Sequence, residues 1–233
     1  MAGVWAIMPV KRFAKAKSRL AAVLGCRERH ELARNMFEDV LEALLRCQNV
    51  LAGTIVVTAD GQAATIGRRC GATVVFEEDD HGINAAVRLA VDVLDASTDA
   101  GVVVVPSDVP QLSPRAIAAA VESISSPSTL AIAAACRDGG TNLLACRPAA
   151  AIPLHFGRSS FMRHTRAAQH AGLAVRRLYM PELLLDIDRP DDLCAFQALR
   201  TNTRTHRFLA GALFESRPPD TVASARTSPE FPS

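Results

Sequence analysis

The chain has no CxxC pair, and none of its six cysteines has a histidine at zinc-finger spacing. That excludes the common small zinc modules. Cys26, Cys47, Cys70, Cys136, Cys146 and Cys194 fall mostly within apolar patterns, where small buried thiols are expected. Such usage points to a reducing, cytoplasmic compartment. No apolar run approaches the roughly 20 residues of a membrane span. No basic stretch precedes the apolar residues of "MAGVWAIMPVKRF", so a signal peptide is not expected. Charge of one sign is lacking too: the net charge of +2 is too small to argue for nucleic acid. Two phosphate-binding fingerprints are missing, GxxxxGK(S/T) and a GxGxxG after a strand.

What is present is a chain of 233 residues, 49% hydrophobic and 21% charged, enough for one substantial core. Short β-branched runs alternate with longer helical periods. Strands are expected in "VWAIMPV", "GTIVVTA", "ATVVFEE", "GVVVVPSDVP", "TLAIAAACR", "TNLLACR", "AVRRLY" and "LLLDID". Helices are expected in "RERHELARNMFEDVLEALLRC", "GQAATIGRRC", "GINAAVRLAVDVLDA", "SPRAIAAAVESI", "SSFMRHTRAAQHAG" and "PDDLCAFQALR". Ser-Pro is a helix start signal, and Gly172 a plausible stop. The alternation implies an α/β fold with a mostly parallel sheet, in which ligands bind beyond the carboxyl ends of the strands. Residues 1–200 form the expected domain. Residues 201–233, rich in Thr, Ser, Arg and Pro, read as a disordered tail whose "RFLAGALF" patch is open to helix formation or docking.

The stretch "LLLDIDRPDDL" ends an apolar run on Asp186 and Asp188. In an extended strand these side chains share a face, with Ile187 opposite. Two such charges raise each other's pKa unless a cation joins them, and a divalent metal is one answer. A strand end followed by a helix cap explains Asp188 or Asp191 but not Asp186. Asp108, after "VVVVPS", suits a metal ligand or an ordinary turn. With Asp186 and Asp188 it makes three carboxylates for one Mg²⁺. Lys11, Arg12, Lys15, Lys17 and Arg19 follow the first strand, suited to a polyphosphate or simply solvated. Gly82 and Asn84 open a helix, where Asn84 either caps or binds. "DGGTNLL" and "HFGRSSF" are glycine- and hydroxyl-bearing turns. The second opens a helix at Ser159 and Ser160, an anion site or a plain cap. His155 and His164 flank that segment as structural residues.

Taken in order, "PVKRFAKAKSRL", "EEDDHGINAAV", "VVVPSDVPQL", "GGTNLL", "HFGRSSF" and "LLLDIDRPDDL" resemble the CofC/FbiD guanylyltransferases of coenzyme F420 biosynthesis, over residues 4–199. The resemblance implies a single-domain, Rossmann-like fold of the MobA-like nucleotidyltransferase type. It implies transfer of GMP from GTP to a phosphorylated three-carbon acid, with release of pyrophosphate. The acid would be 2-phospho-L-lactate, phosphoenolpyruvate or 3-phospho-D-glycerate. Carried over, Asp108, Asp186 and Asp188 match Mg²⁺-linked carboxylates, and Thr141, Gly157 and Ser160 match positions that hold the acid. Lys11, Lys17 and Arg19 fall in the nucleotide-phosphate loop, and Gly82 and Asn84 in the nucleoside-facing motif. Where the family leads one to expect a Pro-Gly-like insert, this chain has Arg158-Ser159. Arg158 contacts the acid's carboxylate or faces solvent, and a polar insert favours 3-phospho-D-glycerate. A homodimer and hand-over of product to the next transferase of the pathway are further expectations. Competing readings are a molybdopterin or sugar-phosphate nucleotidyltransferase, for which the Arg-Met-Gly first loop is missing, and a silent nucleotide-binding protein.

Overall fold

A computed structural model describes residues 3–94, 99–125 and 128–215, with only the backbone of 212–215. The strands are β1 (Val4–Val10), β2 (Gly53–Thr58), β3 (Thr73–Phe76), β4 (Gly101–Val104), β5 (Thr129–Ala134), β6 (Thr141–Cys146) and β7 (Ala174–Arg177). The helices are α1 (Cys26–Leu45), α2 (Gly61–Arg69), α3 (Ile83–Val93), α4 (Pro114–Ser123), α5 (Ser160–His170), α6 (Pro190–Gln197) and α7 (Arg204–Glu215).

The sheet has seven strands in the order β3-β2-β1-β4-β6-β5-β7. β1 pairs in parallel with β2 and β4, β2 with β3, and β5 with β7, while β6 runs antiparallel to both β4 and β5. The near-continuous apolar runs of β1, β2 and β4 follow from this placement, because strands covered on both faces need apolar side chains on both. Ala6, Met8, Val56 and Val103 face a core under α1, α4, α6 and α7. Ile7, Ile55, Val57, Val102 and Val104 face the other core, under α3 and α5. The reversal of β6 matters for the site. It brings the start of β6, Thr141, to the edge where the parallel strands end.

Local signals set most boundaries. Ser113 caps α4 by accepting from Ala116 N–H at 3.2 Å, with Pro114 in the first turn. Gly172 follows α5 at φ 72°, a left-handed stop that suits glycine. Two expectations are corrected. "LLLDID" forms no ladder: a short 3₁₀ turn, Pro181–Leu183, leads into extended chain held by single bonds to two neighbours. Cys136 N–H donates to Leu184 O and Ile187 N–H to Asp108 O, at 3.0 and 3.2 Å. Nor does a disordered tail begin at residue 201. Arg204–Glu215 is a helix with Thr205 and Leu209 fully buried, and its first N–H groups donate to the Asp39 carboxylate of α1. The rest of the expected tail, 216–233, lies outside the described residues.

Candidate active site

The basic loop after β1 is anchored at buried Phe13 and Leu20, while Lys11, Lys15 and Arg19 stay exposed. Phe13 is buried in edge contact with His30 and tilted against Phe37, and its N–H donates to Asp60 at 2.9 Å. Leu20 is buried as well. Between these anchors, Lys17 takes a left-handed conformation, φ 55° and ψ 35°. That geometry costs a non-glycine residue about 1–2 kcal/mol, so the surroundings must hold it. They do so through the ammonium group, which donates to Asp108 at 2.8 Å and lies 4.0 Å from Asp188. The Lys17 side chain is only 7% exposed, whereas Arg19, paired with Asp188, is 63% exposed. Lys11 and Lys15 extend the positive rim toward solvent.

The carboxylates come from two segments tied to each other by the Ile187–Asp108 backbone bond. Asp192 sits behind Asp188 at 2% exposure, accepting from the N–H groups of Asp188 and Arg189 at 3.0 and 2.7 Å. Its other oxygen meets Arg137 at 2.8 Å. Asp186 receives the Asn142 amide at 3.3 Å. Burial, and then the charge of Asp108, push the Asp186 carboxyl up to about 6, while Asn142 and Lys17 pull the other way.

The expected set of three carboxylates ready to hold Mg²⁺ is not found as such. Among the described residues, no three His, Cys, Asp or Glu side chains form a ligand group. Lys17 stands between Asp108 and Asp188, so a cation does join charges here, but it belongs to the chain. The donors still fit a hard ion of the kind held by one or two carboxylates plus substrate phosphates. Asp186 and Asp108 face one cleft, repel each other, and present only oxygen.

On the opposite wall, the β5–β6 turn grips the start of α5. Ser159 N–H donates to Asp138 O and Phe161 N–H to Gly139 O, at 3.2 and 3.0 Å. Gly139 has φ 67°, a left-handed conformation that glycine adopts without strain, which is what the turn requires of it. Thr141 reaches Ser160 Oγ at 2.9 Å and His164 Nδ1 at 3.2 Å. Phe156 is clamped by Asn84, whose amide oxygen accepts from Phe156 N–H at 2.6 Å and whose amide nitrogen donates to Phe156 O at 3.2 Å.

One cleft of about 380 Å³ collects most of the expected residues: Lys11, Lys17, Arg19, Gly82, Asp108, Thr141, Gly157, Asp186 and Asp188. Ser160, Asn84 and Arg158 do not line it. Ser160 is fully buried with its hydroxyl committed to Thr141. Asn84 makes no capping bond to its helix, and both ends of its amide go to Phe156. Arg158 is exposed, and its carbonyl accepts from Arg163. Sequence reasoning missed Asn142, Asp192 and the Asn84 clamp. Of these only Asp192 left a signal, an acid three residues after a helix start at Arg189-Pro190.

The chain matches the family model described as "Guanylyl transferase CofC like" over residues 4–228. It is 39% identical to the phosphoenolpyruvate guanylyltransferase of Roseiflexus castenholzii, covering 82% of this chain and 86% of that one. It is 36% identical to the 3-phospho-D-glycerate guanylyltransferase of Phenylobacterium zucineum, covering 80% and 86%. It is 30% identical to the 2-phospho-L-lactate guanylyltransferase of Methanothermobacter thermautotrophicus, covering 91% and 92%. A solved nucleotidyl transferase from the same Methanothermobacter species shares the fold at a TM-score of 0.64 with 19% identity, covering 90% and 99%. The chain, with its basic loop, paired acidic turns and reversed strand around one cleft, belongs to the CofC-like guanylyltransferase family of nucleotidyltransferases.

Proposed function

We propose that the protein transfers a guanylyl group from GTP to the phosphate of a phosphorylated three-carbon acid and releases pyrophosphate. The observation that carries this is the convergence of four distant segments, 9–19, 106–108, 139–142 and 186–188, on one cleft. One wall is cationic and suits a triphosphate. The other offers a hydroxyl and a glycine backbone, and suits a small anion.

The acceptor oxygen belongs to a phosphate already ionised at neutral pH, so no general base is needed. It attacks the α-phosphorus, and the bond from that phosphorus to the β-phosphate bridging oxygen breaks. The obstacle is repulsion between two anions, so positioning and charge neutralisation dominate. Lys17 supplies a poised ammonium close to the reacting phosphates, and Arg19 with Lys11 stabilises the departing pyrophosphate. Thr141 and the Gly157 backbone hold the acid in line. Asp108, Asp186 and Asp188 would hold Mg²⁺, which when bound supplies further neutralisation of the phosphate oxygens. Placement in coenzyme F420 biosynthesis is part of this proposal and follows the family resemblance.

The reason for favouring 3-phospho-D-glycerate, a polar Arg158-Ser159 insert serving its extra hydroxyl, finds no support, since both residues are exposed and lie outside the cleft lining. The three acids therefore enter the test on equal terms. Pyrophosphate release is measured with GTP, Mg²⁺ and each of phosphoenolpyruvate, 2-phospho-L-lactate and 3-phospho-D-glycerate. Release with at least one acid and none with GTP alone is expected. No release with any of the three refutes the reading.

A further inference from the structure

Thr141, Ser160 and His164 are all buried, and each is bonded to at least one of the others. Counting donors and acceptors fixes the direction of every bond. The backbone N–H of His155 can only donate, and it meets His164 Nε2 at 2.8 Å. Nε2 therefore carries a lone pair, and a neutral ring carries its proton on Nδ1. Burial, reinforced by the charges of His155 and Arg163, pushes His164 down to about 4, which keeps the ring neutral at ordinary pH. Nδ1–H then donates to Thr141 Oγ1 across 3.2 Å. Ser160 has no exposure, and among the described residues its hydroxyl has Thr141 as its one hydrogen-bond partner. A buried O–H needs an acceptor, so Ser160 donates to Thr141 too.

Thr141 Oγ1 thus accepts twice, and its own proton is left to point elsewhere. Of the three residues, only Thr141 lines the cleft. We infer that His164 is a positioning residue that, with Ser160, converts the Thr141 hydroxyl into a committed donor aimed at an anionic oxygen of the bound acid. The same ring also sets the wall beside that donor. It packs edge-on to Phe156 at 5.0 Å, and its Nε2 anchors the chain one residue before Phe156. Ser160 accordingly acts through Thr141 rather than by touching the acid. The inference rests on the proposed function for the acid's place against Thr141, but the proton assignment stands independently of any activity.

Two measurements test it. The first is nitrogen-15 NMR of the imidazole in the wild-type, substrate-free protein. The Nδ1–H tautomer is expected, and the Nε2–H tautomer overturns the inference whatever the enzyme's activity. The second compares His164→Asn, whose amide keeps a donor near the Nδ1 position, with His164→Gln, whose amide reaches toward Nε2. The Asn variant should hold the acid KM within about threefold, while the Gln variant raises it about ten- to hundredfold, with the GTP KM unchanged in both. In a Thr141→Val background, His164→Gln should add nothing further to the acid KM. Equal effects of the two variants, or additive effects with Thr141→Val, overturn the inference. Wild-type protein inert with all three acids would refute the proposed function, and the tautomer measurement would still decide the assignment. The same measurement decides if a variant fails to fold.

Discussion

A chain ending at Arg200 should lose a large part of its stability, because α7 is bound into the body of the protein. Asp39 lies mid-helix in α1 with its side chain 5% exposed. Its oxygens accept from Arg204 N–H at 2.8 Å, Thr205 N–H at 2.9 Å and Thr205 Oγ1 at 2.7 Å. The carboxylate thereby caps α7 from another helix, satisfying N–H groups that no intrahelical carbonyl can reach. Removing α7 strips these charge-assisted hydrogen bonds from the carboxylate and opens it to water, at a net cost of about 1.5–3 kcal/mol. It also uncovers the site of Leu209, which is fully buried, for about 1.5–3 kcal/mol. The two together give roughly 3–6 kcal/mol, a large share of the ~5–15 kcal/mol that holds a domain together. For a protein of this size that is a fall in Tm of about 6–24 °C. The assay is urea and thermal unfolding of the full chain, the chain ending at Arg200, and Leu209→Ala, which alone should cost about 2–5 kcal/mol. A truncated chain with the midpoint of the full one would refute the reasoning.

Asp186→Asn and Asp188→Asn should each lower turnover and change its dependence on Mg²⁺ concentration while leaving the fold intact. A Mg²⁺ titration at saturating GTP checks this, and wild-type behaviour at limiting Mg²⁺ removes the metal assignment. Asn84→Ala should raise the acid KM several-fold without contact to any ligand, because the Phe156 backbone loses both bonds of its clamp; steady-state kinetics with GTP and acid varied separately read the difference. The His164 contribution to stability should fall with acidification between about 6.5 and 4, opposed in part by Asp186, whose raised carboxyl favours the folded chain as pH falls through about 6. The unfolded chain binds a proton at His164 near 6.5, whereas the folded chain resists until about 4. At pH 5 this removes about 2 kcal/mol, and the loss should shrink in His164→Asn when urea midpoints are compared at pH 7 and pH 5.

The strands and helices that rely on local signals were legible. β2 and β4 are rich in β-branched residues, β1 is a continuous apolar run, and Ser113-Pro114 starts α4 where expected. "LLLDID" was misread because its apolar run has strand composition, while strand identity needs a neighbour along its length. Its backbone instead bonds once to Cys136 and once to Asp108. Burial of Ile187 between Asp186 and Asp188 did follow from alternation, and so both carboxylates reach the cleft. Asn84 shows the limit of reading helix starts. Its partner lies 72 residues on, so a local capping rule could not find it. Ser160 likewise looked available because it opens a helix, and its neighbour Thr141 comes from a strand 19 residues earlier. "RFLAGALF" was open to a helix, but the composition of "TNTRTHR" hid the start of α7, since the group that caps it sits in α1.

The reversal of β6 has an evolutionary consequence. It divides the cleft between two structurally separate suppliers. The β1–β4 half, in parallel register, furnishes the basic loop and Asp108. The β5–β6 turn and the start of α5 furnish the opposite wall, where 138–139 bond directly to 159–161, while Cys136, Arg137 and Phe156 on either side tie it to Leu184, Asp192 and Asn84. Changes of length or composition in 138–140 or 157–159 can therefore remodel one wall without shifting the strand pairing that positions the other. Under the proposed function a lineage can exchange acceptors on a constant donor platform, and divergence among relatives should concentrate on that side.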